Sequence, residues 1–367
     1  MTKSIPIYQP FLKGNERKYV LDCMDSNWIS SKGKYVREFE ESIEDFVGNI
    51  SATSCSNGTV ALHLALLALE IGPGDEVIVP SFTYIASVNA IKYVGATPVF
   101  VDSESDSWNA SSNTIKNKIT PSTKAIMCVH IYGNPCDLDP IFKLAKKNNI
   151  KVIEDCAEAL GSKYKNEHVG VKSDISTFSF FGNKTITTGE GGMVFSKNSD
   201  LIEKVAHLKN QSVSQEIAYW HDLVGYNYRL TNIASAIGLA QMEKVEEILE
   251  SKRNIASLYN FYLENLGLSF QEILSESVSS YWLNVVKTPS KSALNRIKGN
   301  LTQAGVEVRP AFPLVSKMPP YREMASHEFP LANEISETAL CLPSYPGLRE
   351  SDIQFISELI TISINEE

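Results

Sequence analysis

Short runs that are apolar throughout alternate, from residue 76 onward, with longer runs of helical periodicity, and that alternation leaves few folds open. Residues 76–80, 98–102, 125–130 and 151–155 read as strands, with 175–181 a further one, while 59–70, 85–94 and 140–147 read as helices. A strand with one wet face would alternate polar and apolar side chains. These do not, so both of their faces are covered, as in a mainly parallel sheet flanked by helices. The fold class is α/β.

Near Met242 the pattern changes to a long charged helix over 241–259, with Val245, Ile248, Ile255 and Leu258 on one face. It reads as a bridge to a smaller α+β unit: a strand at 281–287, a helix at 292–304, a Pro-rich loop at 309–321 and a last helix at 351–364. The expected division is a large unit of residues 1–245 and a smaller one of 246–367.

Composition sets the outer limits. The 367 residues are 43% hydrophobic and 21% charged, as in soluble globular proteins, and the net charge of -9 argues against a nucleic-acid partner. The first ten residues have no apolar core, and the most apolar stretch, 60–71, carries His63 and Glu70, so neither leader nor membrane span is expected and the location is cytoplasmic. Six scattered cysteines suit reduced core thiols. Cys128, His130 and Cys136 lie close in sequence but match no zinc spacing, and no metal is expected.

Four features carry chemistry. Ser56, Asn57, Gly58 and Thr59 open a helix, where free N–H groups and a glycine suit a phosphate; the plain alternative is an N-cap. Asp155 ends a parallel strand, where ligands of open α/β sheets bind, and a buried carboxylate there needs a cation such as a protonated pyridine nitrogen, or else caps the next helix. Ser179 can join the phosphate donors while Lys184, on a glycine-rich turn after the strand, is placed to condense with an aldehyde. Tyr84 follows another strand and can stack on a flat ring, or simply line the rim. Together the four describe pyridoxal 5′-phosphate. A dinucleotide or a nucleoside triphosphate would need a glycine motif that the chain lacks.

Seven motifs in order also resemble one family, the DegT/DnrJ/EryC1/StrS sugar aminotransferases of the type I aspartate-aminotransferase fold. They are Tyr8-Gln-Pro10 with Trp28-Ile-Ser-Ser-Lys-Gly33, Ser56-Asn-Gly-Thr59, Pro80-Ser-Phe-Thr-Tyr-Ile-Ala86, Glu154-Asp-Cys-Ala-Glu158, the run from Ser179 to Gly192, Gly225-Tyr-Asn-Tyr-Arg-Leu-Thr-Asn232 and Leu342-Pro-Ser344. The resemblance implies a Schiff-base role for Lys184, pairing of Asp155 with the pyridine nitrogen, stacking by Tyr84, and phosphate binding by Gly58, Thr59 and Ser179. It places Glu158 near the cofactor's hydroxyl. Asn227 would reach the phosphate of a neighbouring subunit, which implies a homodimer with shared active sites. The implied reaction moves an amino group from L-glutamate to C-4 of a nucleotide-linked 4-keto-6-deoxyhexose for O-antigen or related polysaccharide. Asn210-Gln-Ser212 and Phe312-Pro-Leu-Val-Ser316 depart from the relatives' Gly-Gln-Gly and Tyr-Pro-x-His. Those departures leave open a GDP-linked product of the perosamine type and a dTDP-linked 4-amino-4,6-dideoxyglucose. Another sugar or cyclitol aminotransferase, a sugar dehydratase and a non-catalytic regulator are the alternatives; the dehydratases replace the lysine with histidine, and a regulator is expected to have lost Lys184 or Asp155.

Overall fold

The computed structural model describes residues 4–324 and 328–365; the first three residues of the opening segment lie outside that range. Helices α1 (Glu16–Asp25) and α2 (Lys34–Val47) lead into β1 (Ala52–Cys55), α3 (Gly58–Ala68), β2 (Glu76–Pro80), α4 (Ile85–Tyr93), β3 (Thr97–Val101), α5 (Ser112–Lys116), β4 (Thr123–Val129), α6 (Leu138–Asn148) and β5 (Lys151–Asp155). Two short strands, β6 (Lys163–Tyr164) and β7 (Glu167–His168), form a hairpin before β8 (Ile175–Ser179), β9 (Gly192–Phe195) and α7 (Ser199–Lys209).

The seven-stranded sheet has the order β1-β9-β8-β5-β4-β2-β3. The β8-β5-β4-β2-β3 block is parallel, and β9 pairs antiparallel with both β8 and β1. The expected α/β architecture with a mainly parallel sheet is therefore present. Alternate residues of the central strands enter different cores. Val77, Val79, Met127 and Ile153 pack on the side of α3 and α4, whereas Ile78, Ile126 and Val152 pack on the side of α2 and α6. Each fully buried Val or Ile contributes about 1.5–3 kcal/mol, so an unbroken apolar run is favoured over an alternating one.

The helix read over 241–259 is corrected by the structure. Helix α8 (Asn232–Met242) ends there and α9 (Val245–Tyr262) starts anew, because Lys244 (φ -115°, ψ 5°) leaves the helical region. Beyond α9 come β10 (Ser277–Val278), β11 (Asn284–Lys287), α10 (Lys291–Gln303), β12 (Arg309–Pro310), α11 (Pro330–Thr338), β13 (Ala339–Leu342) and α12 (Glu350–Asn365). The strand expected from 281 begins only at Asn284, since Tyr281 is left-handed (φ 48°) and cannot extend a ladder. The Pro-rich loop contains β12 and a 3-10 turn, Val315–Lys317. Strands β11, β13 and β12 form an antiparallel sheet whose core is shared with α9, α10, α12 and Ile5 of the N-terminal arm. Among the described residues no helix is long and apolar enough to cross a membrane.

Candidate active site

The carboxyl ends of β4, β5 and β8 open on one side of the sheet, and the expected site residues sit there or on the turns just beyond. Asn57 caps α3, its Oδ1 accepting from Val60 N–H at 3.0 Å, so the N-cap alternative is realised. It leaves a cradle all the same. Among the described residues nothing accepts from the Gly58 or Thr59 N–H groups. Ser179 faces that opening, and a side chain at Gly58 would put its Cβ 2.6 Å from Ser179 Cβ and 2.9 Å from Ser179 Oγ. Glycine at 58 is a steric requirement, and free N–H groups at a helix start favour an anion.

Asp155 is buried at the end of β5. Its Oδ2 accepts from Ser87 Oγ at 2.7 Å and its Oδ1 from Ala157 N–H at 3.1 Å, so two hydrogen bonds orient a carboxylate that has no ion pair among the described residues. Ser87 lies one turn into α4, whose N-cap is Tyr84. One helix start thus holds both Asp155 and the exposed ring of Tyr84, which is 56% accessible with Phe312 at 5.8 Å.

Lys184 sits in a tight turn, its N–H donating to Phe181 O at 2.9 Å. Its Nζ is 4.0 Å from Glu158 Oε1 and 4.1 Å from the centre of the Trp282 ring. Burial pushes the ammonium below its usual range, with Glu158 and then Asp155 pulling it back up. Glu158 is buried as well, and desolvation raises it to about 7 against the pull of Lys184 and of Tyr132 N–H, which donates to Oε2 at 2.7 Å. A lysine that gives up its proton readily beside a carboxylic acid that ionises near neutrality is a pair suited to moving protons.

The structure brings together Lys184, Glu158 and Asp155, as their mutual electrostatic influence records, and it sets Ser179 against Gly58. Asn227 is different. Its exposed side chain meets only Arg229 among the described residues, Oδ1 accepting from Arg229 Nη2 at 3.2 Å, although Tyr228 next to it accepts Ser56 N–H at 2.8 Å.

Several site residues escape the sequence reading. Tyr8 donates from its hydroxyl to Lys184 O. Trp282 covers Lys184, and Tyr132, left-handed at φ 56°, stacks on Trp282 (6.2 Å, 13°) and on Phe312 (5.2 Å, 19°). The two departing segments also acquire a place. Phe312 joins that aromatic tier, while Ser316 turns inward to bond Ser81 Oγ at 2.6 Å. Gln211 and Ser212 are both left-handed (φ 59° and 49°), a conformation glycine adopts more readily.

All six cysteines are free and buried. His130 does not group with Cys128 and Cys136 as a ligand set; it meets Glu154 and Cys156, with donor atoms all within 4.8 Å of one another. Cys136 N–H donates to His130 Nδ1 at 3.1 Å, so the proton sits on Nε2 and is donated to Glu154 Oε2 at 2.9 Å, which also takes Gly170 N–H at 2.7 Å. These bonds use both imidazole nitrogens and tie the ends of β4 and β5 together behind Asp155.

A parallel-sheet α/β protein with a lysine and a carboxylic acid in contact, a strand-end carboxylate and an anion cradle has the site of an amine-transfer enzyme. The chain belongs to the DegT/DnrJ/EryC1/StrS aminotransferase family, whose profile matches residues 10–361. It is 50% identical over 364 residues to the GDP-perosamine synthase of Escherichia coli O157:H7, covering 99% of this chain and 98% of the relative. It is 46% identical over 359 residues to the GDP-perosamine synthase of Vibrio cholerae, covering 97% and 98%. Among solved structures, the putative sugar aminotransferase Spr1654 from Streptococcus pneumoniae, PMP-form, superposes with a TM-score of 0.94 at 27% identity, covering 99% of this chain and 98% of that one.

Proposed function

We propose that the protein transfers the amino group of L-glutamate to C-4 of a GDP-linked 4-keto-6-deoxyhexose, giving a 4-amino sugar of the perosamine type for O-antigen or related polysaccharide. The enzyme is an aminotransferase dependent on pyridoxal 5′-phosphate. The observation that carries the substrate reading is near end-to-end identity of 45–50% with three GDP-perosamine synthases. It favours GDP over the dTDP-linked alternative. A cyclitol substrate or a non-catalytic role is disfavoured by the same identity, and the retained Lys184 and Asp155 argue further against a regulator.

The free Gly58 and Thr59 N–H groups and the Ser179 hydroxyl would hold the cofactor's phosphate, and Asp155 its pyridine nitrogen. Tyr84 would lie against the ring, Glu158 beside the ring hydroxyl, and Lys184 would hold the aldehyde carbon. When bound, the cofactor supplies a carbonyl that accepts the amino group and a ring that withdraws electrons from the reacting carbon. Asp155 would keep that ring nitrogen protonated. The free amine of Lys184 would take the proton from the amino donor's α-carbon at Nζ and give it back to the bound group, and burial, by lowering the basicity of Nζ, would make both transfers accessible. Trp282 and the aromatic tier exclude water from the exchange.

The active unit in this reading is a cytoplasmic homodimer, with Asn227 donated to the partner's phosphate site. Support comes from the segment just before it, where Ile217, Tyr219, Trp220, Leu223 and Val224 are all large, apolar and exposed. The division at residues 245 and 246 belongs to the same reading, with α9 as the bridge.

The test is an assay in two halves. Glutamate alone should yield one equivalent of 2-oxoglutarate per site, and the enzyme so loaded should aminate a GDP-4-keto-6-deoxyhexose in preference to dTDP analogues. Initial-rate lines at varied glutamate should run parallel. A preference for dTDP substrates would overturn the nucleotide, and intersecting lines the two-stage transfer.

A further inference from the structure

We infer that Lys252, midway along α9, is a positioning residue that sets the place of Lys184 by holding Trp282 and the N-terminal arm against it; the inference rests on the role proposed above for Lys184. Lys252 is fully buried, on the face of α9 that also carries Leu249, Ile255, Ala256 and Tyr259. Burying an amine there is costly unless its N–H groups are satisfied, and a Leu or Met would fill the space without that requirement. No carboxylate pairs with it among the described residues. Its partners are two main-chain carbonyls, Trp282 O at 3.0 Å and Ser344 O at 2.8 Å, and the ring of Tyr8, centred 5.5 Å from Nζ.

Those three contacts lie on three separate stretches of chain, and all run on to Lys184. The indole of Trp282 covers the Lys184 amine, and its Nε1–H donates to Asn183 O at 2.6 Å. The Tyr8 hydroxyl donates to Lys184 O. Ser344 N–H donates to Ile7 O at 3.1 Å, next to Tyr8, and Ser344 Oγ accepts Asn284 N–H at 2.8 Å, two residues after Trp282. The Lys252 amine therefore closes a ring of contacts around the turn that bears Lys184. It also fixes the carbonyl of the residue that follows left-handed Tyr281, where the chain has no regular ladder to hold it. Burial brings the amine down to about 7, and two carbonyl acceptors match the two N–H groups it keeps when uncharged, so its grip on Trp282 O and Ser344 O does not depend on its charge.

Lys252→Met keeps the volume and removes both donors. The first readout uses cofactor-free protein: reductive methylation of Lys184 followed by mass spectrometry, with Trp282→Phe and the double variant in parallel. We expect Lys252→Met to change the Lys184 labelling rate at least about threefold and to lower kcat roughly tenfold with the KM for glutamate nearly unchanged. Trp282→Phe should act in the same direction, and the double variant should show clearly less than the sum of the two effects, as coupled neighbours do. Lower thermal stability with unchanged labelling and unchanged kcat in the folded protein would overturn the inference, leaving Lys252 a staple only. Should Lys252→Met fail to fold, Lys252→Gln, which retains one donor group, carries the same comparison. A Lys184→Ala protein separates the two readings, since undiminished activity there refutes the role of Lys184 itself whatever Lys252 does.

Discussion

Glu158 owes its weakened acidity to burial, and that has a consequence for stability that can be read without substrate. A carboxyl at about 7 in the fold, above the usual range for glutamate, prefers to keep its proton there. Its contribution to stability is complete below the unfolded value and is lost as pH rises through about 7. Glu158→Gln removes that dependence while keeping an oxygen for Tyr132 N–H. Cofactor-free Glu158→Gln should therefore match the parent near pH 4 and be more resistant to urea near pH 8, by on the order of 2–3 kcal/mol. Equal midpoints at both pH values would show that Glu158 is not held in a desolvated place. Asp155→Asn keeps an oxygen for Ala157 N–H and turns its NH2 to donate to Ser87 Oγ, reversing that bond, but removes the charge, and should cost several orders of magnitude in rate, on the order of 4 kcal/mol of barrier, with cofactor still bound by the Gly58 cradle. Near-normal turnover would refute the pairing. Lys184 and Asp155 were legible in sequence because they lie just beyond or at the end of an apolar strand whose end faces the site, whereas Glu158 was legible only through the family resemblance. Trp282 and Tyr8 were not. They lie 99 and 176 residues from the carbonyls that they bond, and no local pattern announces a contact made only in the folded chain.

At the scale of elements, the start of α3 is the most demanding piece of local geometry. Asn57 must cap the helix, Gly58 must clear Ser179, and Gly192 of β9 must clear Asn57 O, which a Cβ there would approach to 2.4 Å. Gly58→Ala should fold, because its neighbour is a small side chain at the last residue of β8, but it should displace Ser179 and narrow the cradle. We expect cofactor affinity to fall about ten- to a hundredfold, measured by equilibrium dialysis, in line with the 1–3 kcal/mol typical of an overpacked contact. Unchanged affinity would move the phosphate elsewhere. Strands 76–80 and 151–155 could be bounded to the residue in sequence, since flanking turns and continuous apolar runs mark both ends. The α8 and α9 junction could not. Helical periodicity runs through Met242 to Val245, and the break comes from Lys244 alone, while the side chain of Gln241 is drawn inward to Phe11 O and Glu16. Helix α11 and β13 were missed for a related reason, because Ala339 ends one and begins the other with no turn between them.

For the whole molecule, the exposed apolar segment before Asn227 is the feature that a single chain leaves unexplained. Val213 and His221 pair across a short hairpin, Ser214 N–H donates to Trp220 O at 2.8 Å, and the projecting side chains include Tyr219, 96% accessible, and Val224, 85% accessible. Leaving such side chains in water forgoes the roughly 1.5–3 kcal/mol that burying each would contribute, so a hairpin that presents several of them is built to be covered. In the homodimer proposed above, a second copy of the chain would cover this hairpin and give Asn227 a purpose. Joint replacement Trp220→Asp and Val224→Asp puts two charges in that contact, where desolvation without partners is unfavourable by several kcal/mol. Sedimentation velocity at low micromolar concentration should then show the parent as a dimer and the double variant as a folded monomer with an unchanged far-UV spectrum. The monomer should also hold the cofactor more weakly, because Asn227 no longer reaches a partner's phosphate, and should lose activity in proportion. A variant that remains dimeric and fully active would place the subunit contact on another face, whereas a monomer that binds cofactor as tightly as the parent would show each site to be complete within one chain.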